Sequence, residues 1–140
     1  MRNNFDHLRA EHADILALIE QIRHLLEPDI VKKKAKSLYE MVAHLSRKTL
    51  AHLLLEDRCI CQEMLLSAHD ETRMLAQQHV ASMGSMAQHM RNFLESWPSF
   101  ERISTQPKDF CKEIKVILSS LEARINREEQ VLYPKAEAVL

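Results

Sequence analysis

A chain of 140 residues, 46% apolar and 28% charged, has enough material for one domain with a buried core. A single glycine (Gly84) and four prolines are too few breakers for a many-turned β fold. The formal net charge of −1 leaves no electrostatic footprint for nucleic acid or an acidic membrane surface. No apolar run approaches the roughly 18–20 residues of a membrane span. The opening MRNNFDHLRAEHAD carries no signal-peptide core. The three cysteines follow no framework spacing, and Cys59 and Cys61 stand two apart rather than as CxxC. They read as reduced thiols acting as small hydrophobes in a cytoplasmic protein.

Four stretches show 3.6-residue periodicity. The first runs from about Phe5 to Leu26 and carries Phe5, Leu8, His12, Ile15, Ile19, Ile22 and Leu26 on one stripe. Glu27-Pro28 ends it. The short run Lys32-Lys33-Lys34 reads as a solvated helix start. The second stretch, about Ile30 to Leu66, aligns Leu38, Val42, Leu45, Thr49, His52, Glu56 and Cys59. The third, about Asp70 to Trp97, aligns Leu75, His79, Met83, Met86, Met90, Phe93 and Trp97, and Pro98 stops it. Ser99–Gln106 is the longest candidate loop. The fourth stretch follows Pro107 and aligns Phe110, Ile114, Ile117, Leu121, Arg124, Glu128 and Val131.

Steps alternating between three and four residues mark a seam that faces other helices. The expected fold is all-α: an antiparallel four-helix bundle of two helical hairpins, one domain over residues 1–140. A weak internal repeat supports the hairpins. His12 precedes His52-x-x-x-Glu56-Asp57, as His79 precedes Arg124-x-x-x-Glu128-Glu129.

Apart from Thr49, the stripes are apolar except in one stretch, which holds His12, His52, Glu56, His79, Arg124 and Glu128. Charged groups are seldom buried unless paired or bound to metal. One such intrusion is ordinary; intrusions on all four helices are not. Residues four apart on a helix lie on one face, about 5–6 Å apart at Cβ. His-x-x-x-Glu can therefore offer an imidazole nitrogen and a carboxylate to one cation, a donor set suited to iron or zinc. His7, His24, His44, His69 and His89 fall off the stripes or near helix ends and read as surface residues. So do the pairs Glu20-x-x-x-His24 and Glu40-x-x-x-His44. Met83, Met86 and Met90 read as adaptable core, and Cys59 as a packed thiol. Asp57 and Glu129 read as turned from the seam, to solvent or a neighbouring helix. There is no HExxH, ferritin-like Glu-x-x-His, P-loop or GxSxG to name an enzyme or a substrate.

The segments EHADILALI, HLLLEDRCI, QQHVASM and REEQVLYP, in this order and one per helix, resemble the hemerythrin-like (HHE cation-binding) family over nearly the whole chain. The resemblance implies a bundle holding two non-haem irons, and roles in oxygen, iron, nitric oxide or peroxide handling. It implies metal ligation by His12, His52 and His79, with Glu56 and Glu128 as bridging carboxylates. Two family positions are substituted: Arg124 stands where a histidine is expected, and Met83 where some members carry histidine or glutamate. A guanidinium only donates hydrogen bonds and cannot ligate, so one half-site is damaged. An inward Arg124 would supply positive charge to Glu128 and Glu56; a rotated helix would let it snorkel to solvent.

Several readings follow. The first is a degraded di-iron site with at most one tightly bound metal, in sensing, iron handling or regulation rather than oxygen transport. The second is a metal-free interaction or signalling module. The third is a non-haem iron enzyme acting on peroxide or nitric oxide. The cofactor is iron (one or two ions) or none, with zinc or manganese as substitutes. The partners are a small diatomic ligand or peroxide, and a protein partner or a second copy; nucleic acid and membrane are not expected.

Overall fold

The computed structural model describes residues 2–140, and side chains from Phe5 on. Among the described residues every regular element is helical. Four long helices form the frame: α1 (Arg2–Arg23), α3 (Ala35–Glu56), α5 (Asp70–Ser96) and α7 (Pro107–Arg127). Helix α3 continues through a π turn (Asp57–Cys61) into α4 (Gln62–Leu65), and α7 through a second π turn (Glu128–Leu132) into α8 (Tyr133–Val139). Helix α1 packs on α3 and α7, and α5 packs on the same two, which closes a four-membered ring. Short connections make consecutive long helices antiparallel. The bundle expected from the periodicity is the fold observed.

The short helices α2 (Pro28–Lys33) and α6 (Phe100–Thr105) pack on each other and on α3 and α7. Pro28 sits at the start of α2, where its missing N–H costs no hydrogen bond. Lys34 then has φ −106° and ψ 18°, so the stretch expected to run unbroken from Ile30 is two helices. The lysine run closes α2 rather than starting a helix, and it is exposed as expected. Ser99–Gln106 is a helix and not a loop. Ser99 caps it by accepting from the Arg102 N–H at 3.3 Å, and Ile103 is buried beneath it.

The apolar core falls into two clusters. The larger runs from Ile15, Ile19 and Ile22 through Leu38, Val42 and Leu45 to Met86, Phe93, Trp97, Phe110, Ile114 and Ile125. The smaller holds Phe5, Leu8, Ile60, Met64, Ala76, Leu132, Tyr133 and Ala136. On α1 the smaller cluster ends at Leu8 and the larger begins at Ile15, with His12 between them. On α5 His79 likewise separates Ala76 from Met83. Beyond Ile125 comes Glu128, and then Leu132. The polar side chains thus form a layer between two apolar slabs.

The π turns shift the register of the two helices that carry the glutamates. The N–H of Gln62 bonds to the Asp57 carbonyl, and the N–H of Tyr133 to the Glu128 carbonyl, each across five residues. The inward positions become Ile60 and Cys61, and Leu132 and Tyr133. Cys59 and Val131, expected on the stripes, are displaced: Cys59 is half-buried and Val131 exposed. A widened turn inside an α-helix is a recurrent feature of functional sites.

Candidate metal centre

His12, His52, Glu56, His79 and Glu128 are all buried in that middle layer. An uncompensated charge there would be costly, so each group must find a partner. The structure brings four of them to one point. One donor atom each from His12, His52, Glu56 and Glu128 lies within 4.8 Å of the others. His12 Nε2 is 2.7 Å from Glu128 Oε1, and His52 Nε2 is 2.9 Å from Glu56 Oε2 and 3.3 Å from Glu128 Oε1. His79 stands to one side. Its Nε2 lies 2.8 Å from the second oxygen of Glu56 and 3.6 Å from the second oxygen of Glu128.

Arg124 points inward, and its side chain is only 9% exposed. Snorkelling to solvent is therefore not what the helix does. Its Nη1 donates to Ser82 Oγ at 2.8 Å, and its Nη2 lies 3.0 Å from His79 Nε2. Nε sits 2.9 Å from Glu128 Oε2. Neither of these two atoms has a properly directed hydrogen bond, so the contact is a charge contact. The expectation that Arg124 supplies charge to both glutamates holds, more closely for Glu128 than for Glu56. Nη2 is 4.0 Å from Glu56 Oε1, an ion-pair distance without a hydrogen bond, and His79 Nε2 contacts both atoms. Met83 is buried one turn beyond His79 and packs in the larger apolar cluster.

Burial alone would lower the basicity of His52. Hydrogen bonds to Glu128 and Glu56 outweigh it and hold the imidazole pKa up to about 10. Burial would raise the Glu56 carboxyl, but hydrogen bonds from His52 and His79 hold it well below the usual carboxylate range. Cys61 is pushed up to about 12 by burial and by the nearby carboxylates, Glu56 foremost, so it is a thiol at neutral pH.

Three groups in the site escaped the periodicity argument. Glu11 accepts from His52 Nδ1 at 2.8 Å, and Glu129 pairs with His12 Nδ1 at 2.7 Å. Each fixes the orientation of a histidine and leaves its Nε2 facing the centre. Glu129 was expected to leave the seam, and it does so towards α1. The third is Tyr133, whose hydroxyl donates to Glu56 Oε2 at 2.7 Å. The tight LYP ending was a visible signal, but only the π turn aims the tyrosine inward. His7, His24, His44, His69 and His89 are exposed, as expected of residues off the stripes.

Ligand atoms held about 2.0–2.2 Å from one ion lie within about 4.4 Å of each other. The four converged donors fit that requirement with small adjustments, and imidazole with carboxylate is a suitable donor set for iron, zinc or manganese. The other side does not fit a second cation. The one histidine nitrogen there already faces a guanidinium nitrogen at 3.0 Å. The family model of the hemerythrin HHE cation binding domain matches residues 3–136. The chain belongs to the hemerythrin HHE cation-binding family. No curated protein and no solved structure matches it. The hemerythrin-like fold and a His/Glu group able to hold a cation thus agree with the family, and Arg124 stands beside His79 at the edge of that group.

Proposed function

We propose that this hemerythrin-like domain binds one transition-metal ion, iron foremost, on His12, His52, Glu56 and Glu128, and serves in sensing, iron handling or regulation rather than oxygen transport. The observation that carries this reading is the Arg124 guanidinium beside His79, on the side where a second ion would sit. Reversible dioxygen carriage shares its electron demand between two metals, and here one position is held by a fixed organic charge. A bound iron would supply a Lewis-acidic, redox-active centre for a small ligand such as a diatomic gas or a peroxide.

The chain's own residues support that role in specific ways. Glu11 and Glu129 each face an Nδ1 and so orient the two rings with Nε2 towards the centre. The apolar slabs above and below exclude water. A cleft of about 310 Å³, lined in part by His79, Ser82, Arg124 and Glu128, leads small solutes to the Arg124 side. The unpaired Cys59, Cys61 and Cys111 support a reducing, cytoplasmic setting.

A second reading has its own support. Every ring nitrogen of His12 and His52 already faces a carboxylate, so the layer holds together as an Arg-Glu-His network. On that reading the domain is a metal-free interaction module. Elemental analysis of protein purified without chelators or a metal-affinity tag separates the two. The first reading expects about one metal per chain, and more in Arg124→His, which removes the guanidinium and supplies a ligand. A wild-type chain with two irons and reversible dioxygen uptake would overturn it, as would one that takes up no metal. Turnover of peroxide or nitric oxide by iron-loaded protein would assign it instead to the non-haem iron enzymes.

A further inference from the structure

We infer that the Tyr133 phenol oxygen is a fifth donor to an ion held by His12, His52, Glu56 and Glu128, so that ferric iron bound there carries a tyrosinate ligand. This rests on the single-metal reading above and specifies its coordination. The hydroxyl oxygen lies 2.7 Å from Glu56 Oε2, 3.2 Å from His12 Nε2, 3.4 Å from His52 Nε2 and 3.5 Å from Glu128 Oε1. It therefore faces all four converged donors at once. A tyrosine that served only to satisfy Glu56 would need one of those approaches. Its single O–H serves Glu56, which leaves the oxygen lone pairs facing His12 Nε2 and His52 Nε2, the side on which an ion would stand in place of an imidazole proton.

Placement and rigidity both come from the fold. Five residues along a regular α-helix turn through about 500°, which would point Tyr133 well away from the face of Glu128. The π turn closes its hydrogen bond from Tyr133 back to Glu128 and brings the two side chains to the same centre. The ring is fully buried and stacks on His12 with centroids 5.2 Å apart and an interplanar angle of 2°. Phe5 meets it edge-on at 5.8 Å, and the Arg9 guanidinium lies 5.5 Å from its centroid. The hydroxyl is thus preorganised, as a ligand must be.

Charge decides which ion would use it. Among the four donors alone, two carboxylates and two neutral imidazoles match a divalent ion, and a trivalent one leaves one residual positive charge on the donor set. A phenolate removes that residue. The phenolic proton, now donated to Glu56, is displaced to solvent as the iron–oxygen bond forms, one proton per ferric ion, and no electron is transferred.

The test uses the full chain, stripped with chelator and loaded with ferric citrate or, separately, with zinc. Ferric loading should give a visible phenolate-to-iron charge-transfer band and resonance-enhanced phenolate ring vibrations; zinc should give neither. Tyr133→Phe should still bind ferric iron, lose the band, and release one proton fewer per ion in a weakly buffered titration. The sequence holds two tyrosines, so Tyr39→Phe should keep the band. If Tyr133→Phe does not fold, the Raman signature of Tyr39→Phe assigns the ligand by elimination. Ferric iron bound to the wild type without phenolate vibrations, or a band lost in Tyr39→Phe but kept in Tyr133→Phe, overturns the inference alone. A wild-type chain that binds neither ion overturns the single-metal reading and this inference with it.

Discussion

Arg124 Nη2 lies 3.0 Å from His79 Nε2, while Glu56 Oε1 lies 2.8 Å from the same nitrogen on the other side. A guanidinium only donates and a carboxylate only accepts. The one nitrogen therefore satisfies one neighbour at a time, whichever tautomer it takes. The stable element of this corner is the charge contact between Arg124 and Glu128. Removing one partner of a buried ion pair typically costs about 3–5 kcal/mol, because the other charge stays behind. Arg124→Ala should thus destabilise the chelator-treated protein by about 3 kcal/mol at neutral pH in urea denaturation. Added zinc should return part of the loss by compensating Glu128. A change below about 0.5 kcal/mol, the size of an ordinary surface substitution, would show that the pair carries little.

Glu11 and Glu129 are outside the group of four converged donors, yet each faces the Nδ1 of a histidine within it. Carboxylate partners of this kind usually change metal affinity by about 10–100-fold when removed. Glu11→Gln and Glu129→Gln should each weaken zinc binding within that range. Both residues are partly exposed, so their thermal unfolding should change little. Isothermal titration beside a melting curve checks the two halves of this expectation. Equal zinc affinity in all three proteins would remove the orienting role.

How much of this could be read from the sequence depended on the helix period holding. Phe110, Ile114, Ile117 and Leu121 set a register that turns Arg124 and Glu128 inward, and the structure keeps it except at Ile117, which is half-buried while Leu118 takes the buried place. The same logic placed His12, His52, Glu56 and His79. It failed immediately after each glutamate, where the π turns insert extra rotation that no residue pattern announced. The helix period alone points Val131 inward, whereas the π turn exposes Val131 and buries Tyr133. Glu11 and Glu129 were hidden for another reason. They sit next to inward residues, at the border of the buried face, where periodicity assigns nothing. Ser99–Gln106 reads as a loop because the six residues of its helix, Phe100–Thr105, are too few to show a period. Its cap and the burial of Ile103 become visible only with the neighbouring helices in place.

Gly84 gives a clean test of the frame alone. It lies within α5, where glycine has no structural task, and an added Cβ would meet nothing within 4 Å. Its backbone φ is not positive. Replacing it with alanine reduces the freedom of the unfolded chain and leaves the folded state unstrained. Gly84→Ala should therefore raise stability by about 0.5–1 kcal/mol in urea denaturation without changing metal uptake. A loss of stability would mean that α5 needs the glycine for a contact outside this chain.

The coupling of His52 to the two glutamates sets a pH dependence that differs with and without metal. Its folded pKa, about 10, is raised above the ordinary histidine value of 6.5. The stabilisation from its imidazolium is fully present below about pH 6.5 and is lost as pH rises through about 10. Glu56 works in the opposite sense: its folded pKa is depressed, so its contribution is present above about 4.5 and is lost as pH falls into the acid range. Chelator-treated protein should accordingly lose stability on the alkaline side between pH 6.5 and 10, and His52→Gln should flatten that limb. Metal reverses the slope, because an ion needs the lone pair that the proton occupies. Zinc affinity should rise over the same window, so the stabilisation produced by a fixed zinc concentration should grow as the metal-free protein weakens. Urea midpoints measured with and without zinc at several pH values would reveal both trends. Parallel curves would mean that His52 does not exchange its proton for the ion.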